Sequence, residues 1–159
     1  MNSAIFSLDK KYRYFLTRQL EEDTGLVGHL AFVMLNPSTA DEQVDDPTIR
    51  RCKGFATELG YTGIVVANLY GYRSTSPSAL KQVEDPIGPD NDDVLKSIAK
   101  LYDTVVFAFG GNPPLKRVQE VYSLFKPTQV YCLGVTKSGM PRHPLYLKKD
   151  SNLVPWSMP

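Results

Sequence analysis

The sequence is poor in the residues that build metal centres and disulfide frameworks. It has two cysteines, Cys52 and Cys132, and two histidines, His29 and His143. The cysteines show no C-x-x-C spacing, so we expect two buried thiols in a reducing compartment and no disulfide or zinc site. The histidines lie far apart and the acidic residues have no ligand spacing, so we predict neither a metal nor another cofactor.

Long apolar runs and a charge bias are also absent. No run approaches the roughly 20 residues of a transmembrane helix, and residues 1–15 lack the pattern of a signal peptide. The 18 basic residues nearly balance the 17 acidic ones, which excludes a strongly basic nucleic-acid coat but allows a local basic patch. We therefore expect a cytoplasmic protein without a membrane partner, whose oligomeric state stays open.

What the chain does contain is an alternation of strand and helix patterns. A turn at 9–11 joins two strand-like segments into an N-terminal β-hairpin. Four nearly continuous apolar runs of strand length follow, as expected for strands covered on both faces, at residues 28–35, 63–70, 104–110 and 129–135. Helical spacing occurs at 46–59, 92–102 and 115–125.

The helix at 46–59 has clear end signals, with Asp46 as a candidate N-cap, Pro47 in the first turn and Gly60 at the stop. A chain of 159 residues is long enough for one hydrophobic core. We predict a single α/β domain over residues 1–159. It is a sandwich with a central four-stranded parallel sheet flanked by helices, plus the N-terminal hairpin.

Polar residues gather after each predicted parallel strand. Ligands bind outside the carboxyl ends of such strands, so we expect these residues to line one pocket. The candidates are Asn36, Ser38, Thr39 and Asp41 after the first strand, Asn68, Tyr70, Tyr72 and Arg73 after the second, Gly110, Gly111 and Asn112 after the third, and Lys137, Arg142 and His143 after the fourth. Amides suit a base edge, tyrosines stack, and basic side chains bind phosphate.

Each of these residues also has a purely structural explanation. Asn36 before Pro37 shapes a turn, Asn68 caps backbone groups at a strand end, and His143 is a surface residue in a loop rich in proline. The glycine pair is not a phosphate-loop signature, because no G-x-x-x-x-G-K-[ST] motif is present. No G-x-S-x-G elbow supports a serine hydrolase.

Two sequence blocks carry a family resemblance. Asn-Pro-Ser-Thr-Ala-Asp at 36–41 and Pro-Arg-His-Pro-Leu-Tyr at 141–146, together with the segments between them, resemble the family known as domain of unknown function 1643. The resemblance extends over almost the whole chain. The family name implies no activity.

The order of elements also resembles, more distantly, the uracil-DNA glycosylase superfamily, a small α/β fold with a central four-stranded parallel sheet. Its mismatch-specific branch carries Gly-Ile-Asn-Pro-Gly after the first core strand, where the Asn positions the hydrolytic water, and Asn36 stands in that place. Asn68 matches a strand-end Asn that reads the base edge. His143 and Pro144 match part of a late His-Pro-Ser-Pro block, although Leu145 departs from it.

This resemblance implies an N-glycosidic bond hydrolase that acts on a modified or damaged base, in DNA or in a free nucleotide. A nucleotide or flipped nucleobase occupies the pocket. Asn36 orients the water, His143 stabilises the leaving base, and the basic residues Arg73, Lys137 and Arg142 hold phosphate. The alternative is a non-catalytic module that binds a nucleotide or nucleotide-derived signal in the same pocket. A third reading is an assembly protein with exposed aromatic contacts.

Overall fold

A seven-stranded mixed sheet forms the centre of the protein in the computed structural model, which describes residues 2–20 and 28–159. In chain order the strands are β1 (Ser3–Phe6), β2 (Arg13–Gln19), β3 (His29–Met34), β4 (Gly63–Asn68), β5 (Val105–Phe107), β6 (Val130–Cys132) and β7 (Val154–Pro155). Across the sheet the order is β1-β2-β4-β3-β5-β6-β7. The predicted α/β class is confirmed.

The predicted four-stranded sheet is too small. Strands β4, β3, β5 and β6 are parallel to one another, but antiparallel strands extend the sheet on both sides. The hairpin joins the sheet because β2 pairs with β4, with Leu16 opposite Val66. At the other edge β7 pairs with β6 over only two residue pairs, which is too short a segment to leave a periodic signal in the sequence.

Three helices cover the sheet: α1 (Pro47–Glu58), α2 (Asn91–Leu101) and α3 (Leu115–Tyr122). The predicted cap of α1 is present, since Asp46 Oδ1 accepts a hydrogen bond from the backbone N–H of Ile49 at 2.9 Å. The helix ends before Gly60, whose φ of +85° is a conformation that favours glycine. Short 3₁₀ helices lie at Pro77–Lys81, Pro127–Gln129 and Pro144–Tyr146.

The sheet separates two apolar layers. Successive side chains of β3 point to opposite faces, so Val33 packs in the layer that contains α2 and α3, whereas Phe32 packs in the layer that contains α1. All six residues of β3 are buried, which explains its unbroken apolar run. Both cysteines are buried free thiols. Among the described residues, no helix has the length and apolar character that crossing a membrane requires.

Candidate functional site

A cavity of about 380 Å³ opens where β3, β4 and β5 end. Parallel strands bring their carboxyl ends to one edge of the sheet, and the loops that follow them surround the opening. Six of the predicted site residues line it: Asn36, Ser38, Asn68, Gly110, Gly111 and His143. Polar residues that the sequence analysis did not assign to the site line it as well: Arg13, Asp46, Thr48, Ser74, Thr75 and Tyr146.

Asn36 ties two loops together and still offers an acceptor to the cavity. Its Nδ2 donates to the backbone carbonyls of Ser74, at 2.9 Å, and Pro37, at 3.1 Å. Among the described residues, no donor bonds its Oδ1. The side chain therefore does shape the turn, and the same two bonds hold the amide so that its oxygen can accept a hydrogen bond from water or a ligand.

Asn68 is the last residue of β4. It is 2% exposed and lines the cavity. Its backbone carbonyl accepts from Asn91 Nδ2 at 2.9 Å, whereas its side-chain amide bonds none of the described residues. This amide is thus suited to a ligand or a water molecule in the cavity.

The imidazole of His143 is neutral, and its hydrogen bond determines which ring nitrogen carries the proton. Burial lowers its pKa, and the charge of Asp46 only partly opposes that effect, so the ring is neutral at pH 7. Its Nδ1 accepts a hydrogen bond from the backbone N–H of Leu145 at 3.2 Å. The proton of the neutral ring therefore resides on Nε2, which can donate one hydrogen bond.

Gly110 makes room for the His143 loop. A Cβ at this position would lie 2.7 Å from the Cβ of His143, and the φ of Gly110 is +64°. Its backbone N–H donates to the carbonyl of Pro141 at 2.9 Å. A glycine is required here both for the backbone conformation and for the close approach of the loop.

Arg13 reaches the cavity because of a bulge in β2. The pairing of β1 with β2 shifts register between Ile5 and Phe6, which leaves Tyr14 as the extra residue. The bulge turns Arg13 to the face of the sheet that holds Leu16 and α1. The only signal in the sequence is an arginine between two aromatic residues, Tyr12 and Tyr14.

The guanidinium of Arg13 is buried and incompletely satisfied. It is 2% exposed, its Nη1 donates to the carbonyl of Ala40 at 2.9 Å, and its Nε has no partner. Burial lowers its pKa to about 10, against the opposing effect of the Asp46 charge, so it stays charged at pH 7. No ion pair joins Arg13 to Asp46, although both line the cavity. The cavity thus holds one cation and one carboxylate.

The remaining predicted residues separate into three groups, of which two line neighbouring cavities. Thr39, Tyr72 and Arg73 line a second cavity of about 490 Å³, which shares Ser38, Ser74 and Thr75 with the first. Tyr70 and Asn112 line a third, of about 460 Å³, which shares Gly110 and Gly111 with the first. The ring of Tyr70 is largely buried, which leaves little of its surface for stacking.

Asp41, Lys137 and Arg142 line none of these three cavities. Asp41 Oδ1 accepts the backbone N–H groups of Gln43 and Val44, and these bonds lower its pKa. Arg142 is exposed and donates from Nε to the carbonyl of Val135 at 3.0 Å. Among the described residues, no three His, Cys, Asp or Glu side chains come together as a metal site.

Comparison with known proteins gives one match. The model of the family described as Protein of unknown function (DUF1643) matches residues 13–145. That range includes Arg13, Asn36, Asp46, Asn68 and His143, which line the first cavity. No curated protein and no solved structure matches the chain.

Proposed function

For this chain, which belongs to the family described as Protein of unknown function (DUF1643), we propose hydrolysis of the N-glycosidic bond between a modified or damaged base and its sugar. The substrate is a base in DNA or in a free nucleotide, and we relate the fold to the uracil-DNA glycosylase superfamily. The observation that carries the proposal is that Asn36, Asn68 and His143 all line one cavity of about 380 Å³. This volume lies within the range of about 300–1,000 Å³ typical of small-molecule sites.

Each of the three side chains has a free group that suits one role. The buried amide of Asn68 bonds the polar edge of the base. The Oδ1 of Asn36, held by the carbonyls of Pro37 and Ser74, orients a water molecule toward the anomeric carbon. The Nε2–H of His143 donates to the base and stabilises the negative charge that develops when the glycosidic bond breaks.

Asp46 acts as the general base, a role that the amide of Asn36 cannot fill. Its Oδ1 bonds the N–H of Ile49, and its second oxygen bonds none of the described residues. In the proposed step, a bond forms between the water oxygen and the anomeric carbon while the glycosidic C–N bond breaks. The bonding pair leaves with the base, and the proton of the water passes to the Asp46 carboxylate. Asp46 then loses this proton to the solvent and the base anion takes one up, so the products are a free base and a sugar with a hydroxyl group at its anomeric carbon.

A second candidate function is non-catalytic binding of a nucleotide or a nucleotide-derived signal in the same cavity. The unsatisfied Nε of Arg13 favours this alternative, because a buried cation with a free donor binds an acceptor without any chemistry. Under this proposal, Asn36 and Asn68 recognise the ligand and no bond breaks.

One experiment separates the two functions. The purified protein is incubated with DNA that carries uracil or modified bases and, separately, with a mixture of nucleotides. Mass spectrometry then identifies what is released and what stays bound. Hydrolysis predicts a free base, whose rate of release falls about 10²–10⁴-fold in Asn36→Ala and in Asp46→Asn. Asn152→Ala, which removes an exposed amide outside the cavity, is the matched control and retains the full rate.

The other outcomes are equally specific. An intact nucleotide that stays bound, with no free base, contradicts hydrolysis and supports the binding module. Release of base at the same rate from wild type and Asn36→Ala contradicts the assigned role of Asn36. If no base is released and no nucleotide is retained, both functions are wrong.

A further inference from the structure

The second cavity, next to the first, is rich in positive charge. It lies between the turn of the β1–β2 hairpin and the loops that follow β3 and β4. Three cationic residues line it: Lys10, Lys11 and Arg73. Its other polar residues carry hydroxyl groups: Ser38, Thr39, Tyr72, Ser74 and Thr75. We refer to this surface as the hairpin cleft.

Arg73 is held in place in the hairpin cleft. Its Nε donates to the carbonyl of Ser38 at 3.3 Å and its Nη1 to that of Lys10 at 3.4 Å. The guanidinium also lies over the ring of Phe6, 4.8 Å from the centroid. Among the described residues, no acceptor bonds its Nη2. An arginine fixed in this way loses little side-chain entropy when it binds an anion with its free donor.

Lys10 is held beside Arg73. Its Nζ lies over the same Phe6 ring, 5.7 Å from the centroid. Two like charges at one ring repel each other, and the electron-rich face of the ring offsets only part of that repulsion. A bound anion would remove the remainder.

No salt bridge within the described part of the chain includes Lys10, Lys11 or Arg73. The charge of Asp9 interacts with Lys11 and that of Asp41 with Arg73, which offsets part of the positive charge. Neither carboxylate lines the hairpin cleft. The hairpin cleft therefore carries a net positive charge toward a ligand.

The two cavities fit the two ends of a nucleotide. They share Ser38, Ser74 and Thr75, so one molecule can occupy both. In the first cavity the carboxylate of Asp46 balances the charge of Arg13, and the side-chain amide of Asn68 suits a base. The lining of the hairpin cleft has three cations and no carboxylate, so it suits a phosphate better. We infer that the hairpin cleft binds the phosphate of a nucleotide whose base enters the first cavity. This assignment of substrate class rests on the proposed function.

The charge of the hairpin cleft is tested with inorganic pyrophosphate, which has no base and no glycosidic bond. Isotope-labelled protein is titrated and followed by amide NMR shifts, with chloride at matched ionic strength as the blank. We expect saturable shifts at residues 9–11, 38–39 and 73–75. In Lys10→Gln with Lys11→Gln, the affinity falls about tenfold, because two partly solvated ion pairs are lost. The exposed pair Lys96→Gln with Lys100→Gln, on α2, is the matched control and leaves the affinity unchanged.

The results distinguish this inference from the proposed hydrolysis. Shifts located elsewhere, shifts that do not saturate, or equal affinity in the two double variants would overturn the phosphate site. If base is released but any of these results is obtained, the proposed hydrolysis is supported and only the phosphate site is contradicted. Pyrophosphate binding at the hairpin cleft without base release from any substrate supports the phosphate site and contradicts hydrolysis.

A further arm identifies the source of the phosphate. The affinities of thymidine, thymidine monophosphate and a short single-stranded oligothymidylate are compared at two salt concentrations. The double variant Lys10→Gln with Lys11→Gln must bind both phosphate-containing probes more weakly than the wild type. Tighter binding of the mononucleotide assigns the hairpin cleft to free nucleotides. Tighter binding of the oligonucleotide, with a steep dependence on salt, assigns it to the nucleic-acid backbone. Equal affinity of thymidine and its monophosphate would overturn the inference.

Discussion

The Cβ of His143 lies 2.7 Å from the point at which a Cβ on Gly110 would stand. This close approach brings the loop that follows β5, which contains Gly110, against the loop that follows β6, which contains His143. Together with the hydrogen bond from the Gly110 N–H to the Pro141 carbonyl, it holds the loop of His143 at the cavity, whereas the ring itself accepts its hydrogen bond from the N–H of Leu145 in its own loop. The position of His143 thus depends on a residue that carries no functional group.

Gly110→Ala should destabilise the protein and displace His143. An alanine would have to adopt the unfavourable φ of +64°, and its methyl group would collide with the His143 Cβ. The combined cost is about 3 kcal/mol. Gly111→Ala is the matched control, because its φ is +50° and nothing lies within 4 Å; its cost is about 1 kcal/mol. Urea unfolding measures both. Equal losses in the two variants would contradict the contact.

Asp46 has a structural role that can be separated from its proposed chemical one. Asp46→Ala removes the acceptor of the Ile49 N–H and should cost about 1 kcal/mol more in unfolding free energy than Asp46→Asn, because asparagine also caps helices well. Both variants remove the charge that faces Arg13, so their difference isolates the cap. Base release should be lost in both. An Asn variant that is as unstable as the Ala variant would show that the cap contributes little.

Arg18 anchors the loop between β3 and α1. It is 1% exposed, pairs with Asp45 at 2.6 Å, and donates to the carbonyls of Asp41 and Val44. Arg18→Met should lower the unfolding free energy by about 3–5 kcal/mol, since a partly buried carboxylate loses its closest partner and several carbonyls lose their donor.

The control for Arg18 is Arg50→Met. Arg50 is exposed, and among the described residues its side chain makes one hydrogen bond, to the Asp45 carbonyl, so its replacement should change the unfolding free energy by less than about 0.5 kcal/mol. Denaturant melts of both variants give the comparison. A loss below about 1 kcal/mol in Arg18→Met would mean that the loop holds its position without the arginine.

The ionisation of His143 should make stability depend on pH below neutrality. Burial lowers its pKa below the ordinary value of 6.5, so between the folded pKa and 6.5 the unfolded chain binds a proton that the folded protein does not. Stability is therefore greatest above pH 6.5 and decreases as the pH falls below it. The buried His29, whose pKa burial also lowers, contributes in the same direction.

NMR of the ring nitrogens tests the ionisation of His143 directly, and unfolding experiments across the pH range test its effect on stability. We expect the neutral form of His143 to predominate at pH 6.5, because its pKa lies below that value, and to carry its proton on Nε2. Unfolding free energies should fall less steeply with acid in His143→Gln than in the wild type. The His29 contribution is present in both proteins and cancels. A proton on Nδ1 would contradict the hydrogen bond from Leu145.

Local patterns accounted for much of the fold. The helix that starts at Asp46 carries its cap, its first-turn proline and its apolar spacing within a few residues, and these signals act through short-range geometry. The unbroken run of β3 indicated burial on both faces. By contrast, β7 is too short to have a period, and the docking of the hairpin on β4 depends on pairing between distant segments.

The candidate site also contains residues that the sequence predicted and residues that it missed. Asn36, Asn68 and Gly110 were predicted because each follows a buried parallel strand, and strand ends meet at one edge of a sheet. Arg13 lies on an antiparallel strand, outside that rule, and a bulge determines the face to which it points. The sequence assigns Asp46 only to its helix cap, because nothing along the chain indicates that this residue also lines a cavity.

The sequence by itself determined the α/β class, the longer strand and helix segments and the family, because these depend on periodicity, on caps and on contiguous motifs. Only the tertiary structure decided that Lys10, Lys11 and Arg73 form one hairpin cleft and that Lys137 and Arg142 lie outside the three cavities described. The physical reason is that charge clusters arise from the packing of distant loops, and neither their distances nor their hydrogen bonds are encoded by spacing along the chain.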